Sequence, residues 1–497
     1  MKSRYLFFVV FLMQFVGIAE MFSQPLTWDK KYSFPGYSRS QFYKALQTQN
    51  SDLYLAGYAE TDFYQHTPGF MKIDTNGNKL WSKTFDFPDS HTLITHTLLQ
   101  SSANSYYSFC FNTFEDIIVK QNGKQEVANH SWLLKLDNNG DTLFAKHFDE
   151  IGWVNDLILD NGKLVAVGST NYIEEIQDMD YVFTKTTILA IDTNGSFLWR
   201  KEFMIDTISR ANSIIKNSQG HYLITGTTTL DTIGFGYIAF PDKMFLLETD
   251  SLGNLLSAYH SDIESSEGKQ IISCDDGTYA VIGDGYNNTE FGQDIVLWKF
   301  DAENTLLQSS FSQLPRADKA FRFKQTPGGG FVVCGSIVPM SSPNWSPAFF
   351  YMKIDQDGLV EWYQHNESSN NSSFDLIINN QAGFYFAGQS GASAILVKTD
   401  LEGNGLMVSI DQHENLKTDN RCKVFPNPGQ DEITIKLPDA DGYFSFSLYD
   451  FCGRELIKTA YHPDSWKVNT TNIAKGLYTY KITGKDGYTQ SGKWIKK

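Results

Sequence analysis

The chain has 497 residues, 14% of them aromatic and 20% charged, with 41 Lys+Arg against 57 Asp+Glu. Such a composition excludes a disordered chain, and a net charge of −16 excludes nucleic acid as partner, because phosphate recognition needs a basic surface. The five cysteines, Cys110, Cys274, Cys334, Cys422 and Cys452, show no CxxC and no Cys/His zinc spacing, so they form neither a disulfide framework nor a structural metal site. Whether Cys422 and Cys452 pair is left open by their spacing.

The first element is a signal peptide. Lys2 and Arg4 give a positive start, Leu6 to Ile18 is apolar except for Gln14, and cleavage is expected between Ser23 and Gln24. The apolar run is short for a membrane span, and no later stretch is long enough to be one.

Internal repetition follows. An Asp-x-x-Gly turn recurs at Asp74–Gly77, Asp137–Gly140, Asp192–Gly195, Asp250–Gly253, Asp355–Gly358 and Asp400–Gly403. A further copy at Asp301 carries Asn304 in the glycine place, and asparagine is the next residue to tolerate positive φ. The aspartates are 63, 55, 58, 51, 54 and 45 residues apart. Each turn joins two apolar runs, such as FMKI and KLWSKTF, which reads as a hairpin. Upstream of each hairpin lies another strand, ending at Gly57, Gly168, Gly226, Gly283, Gly335 or Gly388, with Cys110 in that place in the second repeat. One more strand precedes it, for example ANSIIKN from Ala211. Four strands per repeat, seven times, without helical periodicity, predict an all-β fold: a seven-bladed β-propeller over residues 24–415. Trp28 to Phe34 matches the strand after the turn, so the start of the mature chain is expected to supply the outer strand of the last blade and hide its edge. The repeats resemble those of bacterial seven-bladed propellers of uncharacterised function, which implies a fold and no chemistry.

The two ends of such a ring differ. Tight turns occupy one end. Long connections occupy the other: Asn112 to Ser131, Ser169 to Lys185, Thr227 to Lys243 and Ser336 to Pro347, read as irregular loops. Function is grafted where loops vary, so this second end is the expected binding face, with Tyr64, Tyr172, Tyr181, Phe235, Tyr237, Phe240, Tyr286, Phe291 and Trp345 as flat apolar surfaces.

A linker at 416–423 leads to a tail of different character. From Asn420 onward there are 12 Lys+Arg and 8 Asp+Glu, so the tail is basic while the remainder is strongly acidic. Alternating residues around Gly and Asp turns predict a small β-sandwich over 424–497. Within it stand Pro426-Asn427-Pro428, Tyr449-Asp450 with Gly453, Gly476-Leu477-Tyr478 and a basic end from Lys493 to Lys497. These motifs resemble the type A C-terminal sorting domain of the type IX secretion system of Bacteroidota. Trp494 stands where that family often has Phe or Val, a departure expected to change little. The resemblance implies passage through the Sec translocon and then the type IX outer-membrane translocon. It further implies removal of the tail by a surface sortase and exchange for a lipopolysaccharide anchor or release.

No catalytic set emerges. Calcium needs roughly six to eight oxygens, and each Asp-x-x-Gly loop offers one or two carboxylates. Gly388-Gln389-Ser390-Gly391 falls one residue short of a serine elbow and no helix follows it. The histidines, His130 and His221 among them, show no HExxH spacing. Glu174, Glu175, Asp178 and Asp180 read as a solvated acidic run. No cofactor or metal is expected, and the propeller is expected to be monomeric. Three functions stand in order: a surface recognition module for a glycan or protein, an extracellular glycan-active enzyme with a loop-built site, and a structural subunit of a surface assembly.

Overall fold

The computed structural model describes residues 27–405 and 423–497, apart from 62–64, 88–91, 103–104, 113–115, 120–124, 129, 177–178, 207, 230–241, 287–292, 313, 315–317, 339–345, 367–370, 381, 427–428, 437–443, 451–453, 462–465 and 485–488. Residues 1–23, expected to be a signal peptide, and the expected linker up to residue 422 lie outside the described residues. Every regular element described is a β-strand. The chain divides into two units, Met1–Ser409 and Ile410–Lys497.

The first unit is a propeller-like repetition of antiparallel four-stranded groups. The first group is Arg39–Gln47, Leu53–Glu60, His66–Ile73 and Lys79–Thr84, each strand paired with the next. The same order recurs from Trp153, Ile208, Glu267 and Asp318 onward. Burial is deepest in the second and third strands of each group and least in the outer one. Tyr222–Thr229 and Phe331–Ile337 are buried almost throughout, while the outer strands Lys79–Thr84 and Leu255–His260 are largely exposed. A run such as FVVCGSI, apolar on both faces, forms a strand covered on both sides by neighbouring sheets. Each fully buried Leu, Ile, Val or Phe there contributes about 1.5–3 kcal/mol.

The inner strands share an irregularity. Pairing with the second strand skips one residue in each: Tyr43, Asn155, Asn212, Lys269, Phe321 and Phe374. Opposite this bulge stands the glycine expected to end the second strand, which instead runs on past it, as Leu53–Glu60 does past Gly57. A Cβ on Gly57 would lie 1.9 Å from the carbonyl oxygen of Gln41, so no side chain fits there. The second repeat departs from the expected pattern. Its inner strand is broken into Leu93–Thr95 and Leu99–Ser102, with His96 in the break, and Cys110 pairs with Thr95 where the other repeats have glycine. A Cβ at that position forces the inner strand apart instead of letting it bulge.

The chain start, Trp28–Tyr32, pairs antiparallel with Ser393–Lys398, completing the last four-stranded group, Trp28–Tyr32, Ser393–Lys398, Gly383–Ser390 and Asn371–Asn379. One buried cluster joins this group to the first: Trp28, Ile377, Tyr385 and Leu396 pack with Phe42, Leu53, Met71 and Ile73. Across the same seam Asp375 Oδ2 accepts the amide of Ala45 at 2.9 Å. Equivalent clamps join other neighbours. Asp156 Oδ2 accepts Ser213 Oγ (2.7 Å) and the Ile214 amide, and Gln270 Oε1 accepts the Phe323 amide at 2.8 Å.

The second unit holds two antiparallel sheets: Lys423–Phe425, Glu432–Lys436 and Trp466–Asn469, and Glu455–Tyr461, Phe444–Tyr449, Gly476–Gly484 and Thr489–Lys496. They share one core of Ile433, Ile435, Phe446, Leu448, Val468, Tyr480, Ile482 and Trp494.

Candidate functional site

The two ends of the repeat unit are chemically unlike. At the turn end each aspartate is engaged by its own loop. Asp74 Oδ1 accepts the amides of Asn76 (2.9 Å) and Asn78 (2.7 Å), and its Oδ2 accepts Asn78 Nδ2 at 2.9 Å. Asp137, Asp192, Asp250, Asp301, Asp355 and Asp400 each take the two matching amides with Oδ1. Backbone amides, that of Ser196 foremost for Asp192 and that of Asn254 foremost for Asp250, hold these two carboxyls below the ordinary range. The glycines Gly77, Gly140, Gly195, Gly253, Gly358 and Gly403 close the turns at positive φ, with Asn304 at φ 63° in the seventh. Gly403 illustrates the packing: at φ 77° its Cα rests on the Trp362 indole, which a Cβ would meet at 2.5 Å. These residues build scaffold, and their carboxylates are already engaged.

The opposite end carries groups that are not so satisfied. Three neighbouring strands place Arg39, Glu60 and His66 in one row, because Arg39 pairs with Glu60 and Glu60 with His66. Glu60 is buried, with Oε2 3.7 Å from Arg39 Nη1 and 3.7 Å from His66 Nε2. Burial lowers the His66 pKa, with Arg39 adding and Glu60 opposing, so the imidazole is neutral at physiological pH. Its Nδ1 is buried without a protein partner. The Tyr58 ring lies 4.7 Å from the imidazole. His66 lines a pocket of about 180 Å³ with Gln65, Thr67, Pro68, Phe85, Asp86, Phe87 and Leu93. Drug-sized ligands occupy about 300–1,000 Å³, so this pocket suits a single sugar ring or one protruding side chain.

Neighbouring inner strands touch one another through the bulged residues and, in the second repeat, through His96. Ring centroids are 5.0 Å apart for Phe321 and Phe374, 4.9 Å for Phe374 and Tyr43, and 4.1 Å for Tyr43 and His96. Asn155 Nδ2 donates to the Ala211 carbonyl (2.9 Å), and Asn212 Nδ2 to the Gly268 carbonyl (2.8 Å), beside Lys269. Burial, with Arg322 and Lys44 adding to it, pushes His96 down to about 4. The sequence signal for these contacts was the glycine within the second strand, such as Gly57, which marks the bulge opposite.

Ser169 to Lys185, expected as an irregular loop, is a regular arm. Lys163–Ile176 and Met179–Asp192 stay paired to Ile176–Met179. Alternating β-branched and aromatic residues with no Gly or Pro from Ser169 to Asp192 favour strand over loop. On it the Tyr172 and Phe183 rings stack at 5.4 Å, and Lys185 Nζ sits 4.0 Å from the Tyr172 ring. Asn112 to Ser131 likewise contains a paired ribbon, Asp116–Val119 with Gln125–Ala128. Glu174 and Glu175 are exposed on the arm. Tyr286 is exposed, whereas Tyr64, Phe235, Tyr237, Phe240, Phe291, Trp345, Asp178 and the side chains of Tyr181 and Asp180 lie outside the described residues. His221 contacts Glu248 at 2.8 Å.

In the tail, the Pro426 carbonyl accepts Trp494 Nε1 at 2.9 Å. Gly476 opens a strand, Tyr478 is buried and donates to the Ala474 carbonyl (2.6 Å), and Lys493 pairs with Thr479. Asn427, Pro428, Gly453, Cys422 and Cys452 lie outside the described residues. Trp494, standing where the family often has Phe or Val, is fully buried in the shared core.

Residues 423–497 match the family described as a secretion system C-terminal sorting domain. That tail marks the chain as exported, secreted or attached to the cell surface. No curated protein matches the chain. Among solved structures, a protein of unknown function from Bacteroides caccae is similar at 13% identity and TM-score 0.34, over 63% of this chain and 93% of that one. The Pan2 WD40 domain of Neurospora crassa is similar at 8% identity and TM-score 0.45, over 75% and 94%. Drosophila Semaphorin 2a is similar at 7% identity and TM-score 0.44, over 96% and 99%.

Proposed function

We propose that this is a recognition module carried out of the cell by the type IX machinery, with a ring of seven four-stranded blades as its body and the pocket end as its binding face. The row Arg39–Glu60–His66 carries the reading. His66, a neutral imidazole, lines a pocket too small for a polymer but sized for one sugar ring, and its mainly polar lining, with Gln65, Thr67 and Asp86 beside the imidazole, offers hydrogen-bonding groups to such a ring. The turn end offers nothing comparable, because its carboxylates are held by their own loops. A seven-bladed ring is supported by the pairing of Trp28–Tyr32 with Ser393–Lys398, by the Asp375–Ala45 clamp, and by the ring contacts of Phe374, Tyr43 and His96 between neighbouring inner strands. Under this reading residues 1–23 address the chain to the Sec translocon. The type A motifs of 424–497, Pro426-Asn427-Pro428, Gly453, Gly476, Tyr478 and Lys493 among them, address it to the translocon and sortase.

The test is binding of the full mature chain to an array of bacterial, plant and animal glycans in 0.5 M salt, alongside His66→Ala. Salt at that level shortens electrostatic screening to about 4 Å, removing long-range charge attraction. Saccharide binding that His66→Ala weakens by at least about tenfold, or about 1.4 kcal/mol, supports the pocket. Binding unchanged by His66→Ala overturns the site, and no binding to any glycan overturns the sugar reading in favour of a protein partner.

A further inference from the structure

A second group of side chains at the same end has the composition of a metal site. Ser131–Asp137 and Thr142–Phe148 pair antiparallel, with Ser131 opposite Phe148 and Trp132 opposite His147. Continuing that register sets His130 opposite Asp149. In a strand, residues two apart project on the same face, so His147 and Asp149 point the same way and His130 joins them from the neighbouring strand. The distances agree. His130 Nδ1 is 3.0 Å from His147 Nε2, His147 Nδ1 is 3.4 Å from Asp149 Oδ1, and His130 Nδ1 is 3.7 Å from Asp149 Oδ1. One ligand atom from each residue falls within 4.8 Å of the others. In a tetrahedral complex with bonds of about 2.05 Å, ligand atoms stand about 3.3 Å apart. An imidazole gives one ion a single nitrogen, and His147 turns Nε2 toward His130 and Nδ1 toward Asp149, so side-chain rotation must close the three ligand atoms from within 4.8 Å to that spacing.

We propose that His130, His147 and Asp149 bind a divalent transition cation of the zinc or copper class, with the remaining coordination positions open to water or to a ligand oxygen. Two imidazoles and a carboxylate suit these ions, whereas calcium and magnesium prefer all-oxygen sets. Both strands are anchored. Ser131 Oγ donates to the Gly152 carbonyl at 2.7 Å, and the Trp132 ring packs on His147 at 5.0 Å and on Phe87 at 4.9 Å. Phe87 also lines the pocket. Trp132 therefore connects the two features, and the metal assignment stands whatever the pocket takes. The sequence did not expose the site because its ligands come from two strands whose register is set only by folding.

The experiment is a calorimetric titration of the full mature chain with ZnCl₂ in a non-chelating buffer, and a parallel CuCl₂ titration read by tryptophan fluorescence. One tight equivalent of zinc is expected. His130→Asn and His147→Asn each weaken it by at least about tenfold, and Asp149→Asn by less, as ligand removal from a three-residue site requires. Copper is expected to quench a component of fluorescence that Trp132→Phe removes, a readout that adventitious binding at other histidines does not produce. All these residues except Trp132 are substantially exposed, so unchanged thermal melts are expected and separate lost binding from lost folding. Zinc binding of equal tightness in His147→Asn, or weaker than about 100 μM in the unaltered chain, overturns the proposal, as does copper quenching that survives in Trp132→Phe.

Discussion

Asp284 is the residue whose replacement should stabilise this protein, and only at higher pH. It lies fully buried in Tyr279–Tyr286, with Oδ1 accepting the Ala320 amide at 2.8 Å and Oδ2 without a protein partner. Burial pushes its carboxyl from the ordinary 3.8 up to about 7. Lys269 opposes that shift and Glu267 adds to it. A carboxyl raised in the folded state is most favourable to folding when protonated. Its contribution is complete below about pH 4 and is withdrawn as pH rises through about 7. A displacement of about three decades at about 1.4 kcal/mol each sets a ceiling of roughly 4 kcal/mol, of which roughly 2–3 kcal/mol falls between pH 5 and pH 8. Asp284→Asn keeps an acceptor for Ala320 and cannot ionise. It should match the unaltered chain within about 1 kcal/mol at pH 5 and exceed it by roughly 2 kcal/mol at pH 8. Urea unfolding of the full chain, followed by tryptophan fluorescence at both pH values, measures this. The turn aspartates Asp192 and Asp250, lowered by their own amides, act below the ordinary carboxylate range and leave this window untouched. Asp318, raised by burial and by its neighbour Asp294, leaves a residual slope in the variant. Equal pH slopes for the two chains would refute the reasoning, since they would mean that Asp284 ionises without penalty.

Two more outcomes follow from single contacts. Asp375→Ala strands the buried Ala45 amide at the seam between the first and last sheets, which costs about 1–3 kcal/mol, and hydrogen exchange should quicken first in Trp28–Tyr32 and Ser393–Lys398. Unchanged exchange there would show that the seam does not depend on the clamp. Trp494→Ala removes the largest side chain of the tail core and its bond to Pro426, a loss of about 3–5 kcal/mol. In a unit this small it should unfold the tail and leave the protein in the periplasm, as fractionation reads. Normal surface yield would mean that the secretion machinery does not need the folded core.

The split between what was legible and what was not follows the range of the interactions. The Asp-x-x-Gly turns, the hairpins around them, the four-strand period and the tail were open to reading because each depends on residues within a few positions of one another. A turn aspartate finds its amides two and four residues on, as Asp74 does with Asn76 and Asn78. The arm from Ser169 was misread as a loop although its lack of Gly and Pro favours strand, because only the cross-strand register shows that the pairing continues to Ile176–Met179. The bond of Trp494 to the Pro426 carbonyl was not legible because the two are 68 residues apart. The sequence by itself therefore determined the all-β repetition, the scaffold role of the turns and the export address. Only the tertiary structure decided which side chains meet. It set Tyr43 edge-on to His96 and Phe374, placed His66 beside Glu60, and brought His130 to His147 and Asp149. The physical reason is that strand register and sheet-to-sheet packing are fixed by the burial of whole faces at once, and no short stretch of chain carries that information.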